Sequence, residues 1–202
     1  MTILDAVHEA AEAVPATRFH GTDGQAVRPC TPASVTYRHL RLLDVRPGME
    51  VLEIGTGSGY SAALLAHLVG PTGSVTTVEI SPKLSERARA LYVEHGHPVN
   101  TVCADGLLGH PEGGPYDRIM VGTTPPSIPD AWLNQLAEGG RLLTGALLHE
   151  LPGAYGIALV DASPPGFVIT AHHGGYTPMN APAPPRTGTQ VHADAYELAA
   201  LD

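Results

Sequence analysis

The stretch Val51-Leu52-Glu53-Ile54 runs straight into Gly55-Thr56-Gly57-Ser58-Gly59, and a segment rich in Ala and Leu follows from Tyr60. A short apolar run that ends in glycines and gives way to helical spacing reads as a buried strand, a tight loop and a helix. The order recurs downstream. Apolar runs at Ser74–Ile80, Val99–Cys103, Tyr116–Val121 and Arg141–Leu148 alternate with predicted helices at Tyr60–Val69, Pro82–Glu94 and Ala131–Leu136. Ser81 is placed to cap the second of these ahead of Pro82 at the first helical position. Such alternation demands a mostly parallel sheet joined by right-handed crossovers, with helices on both faces.

The fold class that follows is α/β, a Rossmann-like doubly wound, mostly parallel sheet. Two late runs, Ala154–Val160 and Phe167–His172, add antiparallel C-terminal strands. Helical spacing also marks Ile3–Val14 and Ala33–Leu43, with a Gly-, Pro- and Thr-rich loop at Ala16–Pro32 between them. Residues 1–177 thus read as one catalytic-type domain, 1–46 an N-terminal substrate or cap region and 47–177 the core; 178–202 read as a Pro/Ala-rich tail.

The glycine loop opens a helix, whose N-terminus presents oriented N–H groups to a ligand. Glu79, closing the second strand about 20 residues on, suits the hydroxyls of a ribose, and Ile80 follows it. Asp105-Gly106, after the third strand, is placed to accept from an adenine amino group. The spacing is G-x-G-x-G with Tyr60 next, not the G-x-G-x-x-G of dinucleotide sites. With Glu53 two residues before Gly55, the loop suits a cationic, pyrophosphate-free cofactor, S-adenosyl-L-methionine. Glu53, Gly55, Thr56, Gly57, Ser58, Tyr60, Glu79, Ile80, Asp105 and Gly106 are the expected cofactor-binding residues. A nicotinamide oxidoreductase is a poor rival, because no Tyr-x-x-x-Lys pair stands ready for hydride chemistry.

These segments resemble the protein-L-isoaspartate (D-aspartate) O-methyltransferase family. The resemblance is carried by Val51–Tyr60, Val78-Glu79-Ile80, Asp105–Pro111, Pro115–Ile119, Ile128-Pro129, Trp132-Leu133, Gln135-Leu136 and Gly139–Leu143. Tyr176-Thr177-Pro178-Met179 is similar to the family's closing aromatic-x-Pro-Leu segment. The resemblance implies a carboxyl O-methyltransferase that uses S-adenosyl-L-methionine on a peptide or protein carboxylate, isoaspartate or aspartate, leading to a succinimide. The family's Ser-x-Pro segment is here Arg28-Pro29-Cys30-Thr31-Pro32. Cys30 or Thr31 takes the Ser position, and Arg28 can pair with the substrate carboxylate, which makes these three the catalytic candidates. The altered position admits an alternative: a tailoring methyltransferase of a natural-product pathway with another acceptor, or a cofactor-binding, non-catalytic homologue.

Composition restricts the partners. A net charge of −9 without a Lys/Arg cluster argues against nucleic acid and anionic membranes. No run of about 18 apolar residues reads as a membrane span, and the N-terminus carries no leader-like pattern. Two distant cysteines without a C-x-x-C pair fit free thiols in a cytoplasmic protein. His149, His172 and His173 lack the spacing of a metal site, so no metal is expected. The sequence leaves the oligomeric state open.

Overall fold

The computed structural model describes residues 2–21, 27, 30–147, 155–176 and 179. Seven strands form one sheet in the order β3-β2-β1-β4-β5-β6-β7. They are β1 (Glu50–Ile54), β2 (Ser74–Glu79), β3 (Val99–Cys103), β4 (Tyr116–Val121), β5 (Leu136–Leu147), β6 (Tyr155–Ser163) and β7 (Gly166–His172). The first five are parallel; β6 and β7 pair antiparallel at one edge. The chain winds outward in opposite senses from β1, so a crevice opens beyond the carboxyl ends of β1 and β4, where α/β sheets hold ligands.

Side chains alternate between the two sheet faces, and the core divides accordingly. Val51, Val75, Met120 and Leu143 pack with α1 (Ile3–Ala13), α2 (Ala33–Leu43), α3 (Tyr60–Val69) and α4 (Pro82–His95) through Val7, Leu40, Leu64 and Tyr92. Their sequence neighbours Leu52, Ile119 and Leu142 face the other way, onto Trp132 and Leu133 of the short α5 (Asp130–Leu133). Four helices therefore cover one face. The other carries α5 with the 3-10 turns at Gly106–Leu108 and Pro111–Gly113. By this alternation Glu53, between Leu52 and Ile54, turns toward the four-helix face.

Three local expectations need correcting. The helix expected over Ala131–Leu136 is Asp130–Leu133, and the strand expected from Arg141 begins at Leu136. Gly139-Gly140 looks like a break but forms an irregular pairing instead. Leu136 is registered to Tyr116, the ladder shifts between Tyr116 and Arg118, and Gly139 takes φ +71°. The Ala16–Pro32 loop holds a 3-10 turn at Ala16–Phe19, anchored by the fully buried Phe19.

The termini of α2 and α4 are fixed by specific groups. Ser81 Oγ accepts from the Leu84 amide at 3.5 Å, and Gly96 ends α4 in the left-handed region. Arg118 and Arg141 donate to the Leu43 (2.6 Å) and Leu42 (2.9 Å) carbonyls, so cations satisfy the open end of α2. Among the described residues no helix is long and apolar enough to cross a membrane.

Candidate active site

The carboxyl ends of β1, β2 and β4 are tied together by backbone bonds: Gly55 N–H to Val78 carbonyl and Gly122 N–H to Ile54 carbonyl, each 2.8 Å. A cavity opens over them. Glu53, Gly55, Thr56, Gly57, Ser58, Tyr60, Glu79, Ile80, Asp105 and Gly106 all line it, and so do Cys30 and Thr31. Arg28 lies outside the described residues.

The glycine loop is held from below by a buried polar network. Thr56 and Thr77 hydroxyls meet at 2.6 Å, and Thr77 donates to Glu53 Oε2 at 2.6 Å. Ser61, in the first turn of α3, donates to the other Glu53 oxygen. Glu53 is 1% exposed. Burial pushes its carboxyl up to about 7, with the Glu79 charge adding to the rise and the Ser61 and Thr77 bonds opposing it. A buried acid poised in this way favours a cation beside it, since a positive charge would restore its ionised form.

Glu79 holds the loop from the side. Its Oε2 accepts from the Gly57 amide at 3.1 Å and its Oε1 from the Ser81 amide at 2.9 Å. A carboxylate has about four lone-pair sites, so capacity for hydroxyl donors remains. Gly59 must be glycine. Its φ is +89°, and a Cβ there would sit 3.0 Å from the Tyr92 hydroxyl, which itself donates to the Gly59 carbonyl at 3.0 Å. Arg87 reaches over from α4 to the carbonyls of Ser58 (3.0 Å), Phe19 (2.9 Å) and His20 (2.6 Å), joining the loop to the N-terminal segment.

The Asp105–His110 turn is braced from beneath. Trp132 Nε1–H donates to the Gly106 carbonyl at 2.8 Å. Gln135 donates to the Leu108 carbonyl and accepts from the His110 amide, each at 2.8 Å. A Cβ on Gly106 would lie 2.4 Å from Ile54 Cγ2, so the turn sits directly on the end of β1. Asp105 is exposed to the cavity and uses Oδ1 to accept from the Leu107 amide at 3.0 Å.

The rest of the lining includes Cys30, Thr31, Thr36, Thr123, Tyr176 and Met179, with Thr123 Cγ2 3.5 Å from where a Cβ on Gly55 would lie. The Cys30 thiol is exposed and donates to the Thr31 carbonyl at 3.5 Å. Thr31 is half-buried. Sequence reasoning missed Ser61, Thr77 and Arg87, and behind the lining it missed Tyr37, whose hydroxyl meets that of Tyr60 at 2.6 Å, and His39, whose ring meets the Tyr176 hydroxyl. Alternation along β2, with Thr77 registered to Glu53, was a usable signal for Thr77. The others have none short of the packed structure. His172 ends β7 and is buried; His173 is exposed; His149 lies outside the described residues. Among the described residues no three His, Cys, Asp or Glu side chains gather as metal ligands.

A family profile described as Protein-L-isoaspartate(D-aspartate) O-methyltransferase matches residues 25–146. The chain belongs to this family. Its similarity to a protein-L-isoaspartate O-methyltransferase of Ignicoccus hospitalis is 40% identity over 139 residues, 68% of this chain and 64% of that protein. The namesake of Methanococcus maripaludis is 47% identical over 108 residues, 53% of this chain and 51% of that one. The chain thus spans between about half and two-thirds of these curated relatives' length. A solved protein-L-isoaspartate O-methyltransferase superposes with a TM-score of 0.74 at 27% identity, over 87% of this chain and 62% of that chain. A structure from Plasmodium falciparum, in complex with S-adenosyl-L-homocysteine, shares the fold with a TM-score of 0.70 at 15% identity, over 88% of this chain and 91% of that one.

Proposed function

We propose that this chain is an S-adenosyl-L-methionine-dependent carboxyl O-methyltransferase acting on an isoaspartyl or aspartyl side chain of a peptide or protein. The observation that carries the reading is the meeting, in one cavity, of the glycine loop, Glu79 and Asp105 with the Cys30–Thr31 segment. Family membership and the relatives' names support the same activity.

The donor set fits the cofactor. Glu79 is a carboxylate for ribose hydroxyls, Asp105 an acceptor for an adenine amino group, and Ile80 an exposed apolar side chain beside them. Glu53 with its hydroxyl network gives a buried acid beneath a cationic group. When bound, the cofactor supplies a methyl group on a positively charged sulfur, open to in-line attack. The acceptor carboxylate is already ionised at neutral pH, so the chain needs no strong base. Its task is to align the carboxylate and exclude water.

For that alignment Thr31 is the better candidate of the two. The Cys30 thiol already donates to the Thr31 backbone, and a thiol is the weaker donor. The Thr31 hydroxyl lies in the cavity wall immediately before α2. Arg28 would add a cation for the substrate. The cytoplasm is the proposed location. The test is turnover. Transfer of a labelled methyl group from S-adenosyl-L-methionine to an isoaspartyl peptide, as a base-labile ester, supports the reading. Cofactor binding without transfer to isoaspartyl or aspartyl peptides would sink it.

A further inference from the structure

Beyond the glycine loop, the cavity lining draws on two walls distant in sequence. One is α2 with the residues before it, which contribute Thr31 and Thr36; the other is the C-terminal segment, which contributes Tyr176 and Met179. Three bonds seat the second wall. Thr124 Oγ1 donates to the Tyr176 carbonyl at 2.8 Å, and the Met179 amide donates to the Thr124 carbonyl at 2.9 Å. The third joins the Tyr176 hydroxyl to His39 Nδ1, across 137 positions of sequence. The rings meet edge-on, with centroids 5.0 Å apart and planes at 64°.

His39 is 1% exposed and its Nε2 has no hydrogen-bond partner. An aliphatic side chain would fill the place without leaving a buried ring nitrogen unsatisfied, which is costly. What the polar ring gains is the bond to Tyr176. Burial first, then the nearby Arg38 charge and His172, push the ring down to about 4, so it stays neutral at ordinary pH. The same helix thus bears Thr36 on one wall and, one turn later, the group that grips the other. We infer that His39 is a positioning residue: by holding Tyr176 it fixes the gap between the Thr31–Thr36 wall and the Tyr176–Met179 wall, and so determines how a peptide acceptor is received without touching it. The acceptor part of this inference rests on the function proposed above.

The experiment uses the full chain with His39→Leu, His39→Asn and Tyr176→Phe. Loss of one such bond is worth about tenfold. KM for an isoaspartyl peptide is therefore expected to rise about tenfold in His39→Leu and Tyr176→Phe, with kcat changed less than about threefold. S-adenosyl-L-homocysteine affinity, read by calorimetry, stays within about twofold. His39→Asn, whose amide reaches the position of Nδ1, recovers most of the KM. Hydrogen exchange at the Met179 amide quickens about tenfold in His39→Leu and Tyr176→Phe but not in His39→Asn. An unchanged KM in Tyr176→Phe, an Asn variant no better than Leu, or cofactor affinity falling in step with KM overturns the inference. If the unaltered chain methylates no isoaspartyl peptide, the proposed function fails on its own. The Met179 exchange then decides the clasp, and an unchanged rate in Tyr176→Phe overturns it.

Discussion

The proposed donor side and the proposed acceptor side of the cavity are built on different plans. Glu53, Thr56, Ser61, Thr77 and Glu79 lie within 27 residues of one another, on two adjacent parallel strands and the turns that follow them. Thr56, Thr77, Glu53 and Ser61 form a chain of polar bonds, and the neighbouring Glu79 grips the loop backbone. The acceptor side gathers Thr31, Thr36, Thr123, Tyr176 and Met179 from three distant parts of the chain and holds them by long-range bonds. A site made of neighbouring strand ends inherits its geometry from sheet register. One made of remote segments depends on a few contacts and is free to change its ligand.

The largest test of this contrast is Glu79→Ala. It removes two loop bonds together with the proposed ribose acceptor, so S-adenosyl-L-methionine affinity should fall about 100-fold or more by calorimetry. A loss below about fivefold would show that the loop holds without it. On the other side, Thr31→Val should lower kcat/KM for an isoaspartyl peptide about 10- to 100-fold, with cofactor affinity unchanged. Cys30→Ala should stay within about threefold; the reverse order would give Cys30 the orienting role.

Gly106→Ala tests the brace between the sides. A methyl group 2.4 Å from Ile54 Cγ2 must displace the turn or the end of β1. Overpacking of this kind costs about 1–3 kcal/mol, which at this chain length lowers Tm by roughly 2–10 °C. An unshifted melting curve would mean that the turn yields freely.

The smallest effect is a pH dependence. Glu53 titrates near pH 7 in the fold, above its ordinary value of 4.5. Because folding favours the neutral acid, burying the charged form costs stability that grows as pH rises from 4.5 and is complete above about 7. A cationic cofactor reverses that preference, so binding releases a proton. S-adenosyl-L-methionine affinity should therefore rise about tenfold between pH 6 and pH 8 and then level off. Glu53→Gln should flatten the profile; a slope that survives it belongs to another group.

The same contrast explains what the sequence made legible. Strand ends, glycine loop, Glu79 and Asp105 follow a local grammar in which an apolar run stops and a ligand-facing residue comes next. The bounds of α2, α3, β3 and β4 agree with those read from periodicity. His39, Tyr37 and Arg87 carry no such mark. Each is a polar residue on a helix, and its partner is fixed only when α2 meets Tyr176, α2 meets α3, or α4 meets the Phe19–His20 backbone. The early start of β5 escaped for a related reason, since Gly139-Gly140 reads as a stop unless the pairing of Leu136 with Tyr116 is known.

The chain contains a single tryptophan. Trp132 is fully buried, and its indole N–H is bonded to the carbonyl of Gly106, next to Asp105 in the cavity wall. Its emission is accordingly a built-in optical gauge of one place. The indole polarity, and with it the wavelength and yield of the emitted light, follows any tightening of that turn. Occupancy of the proposed adenine end can be watched in real time on the unlabelled protein, with no background from a second fluorophore of the same kind.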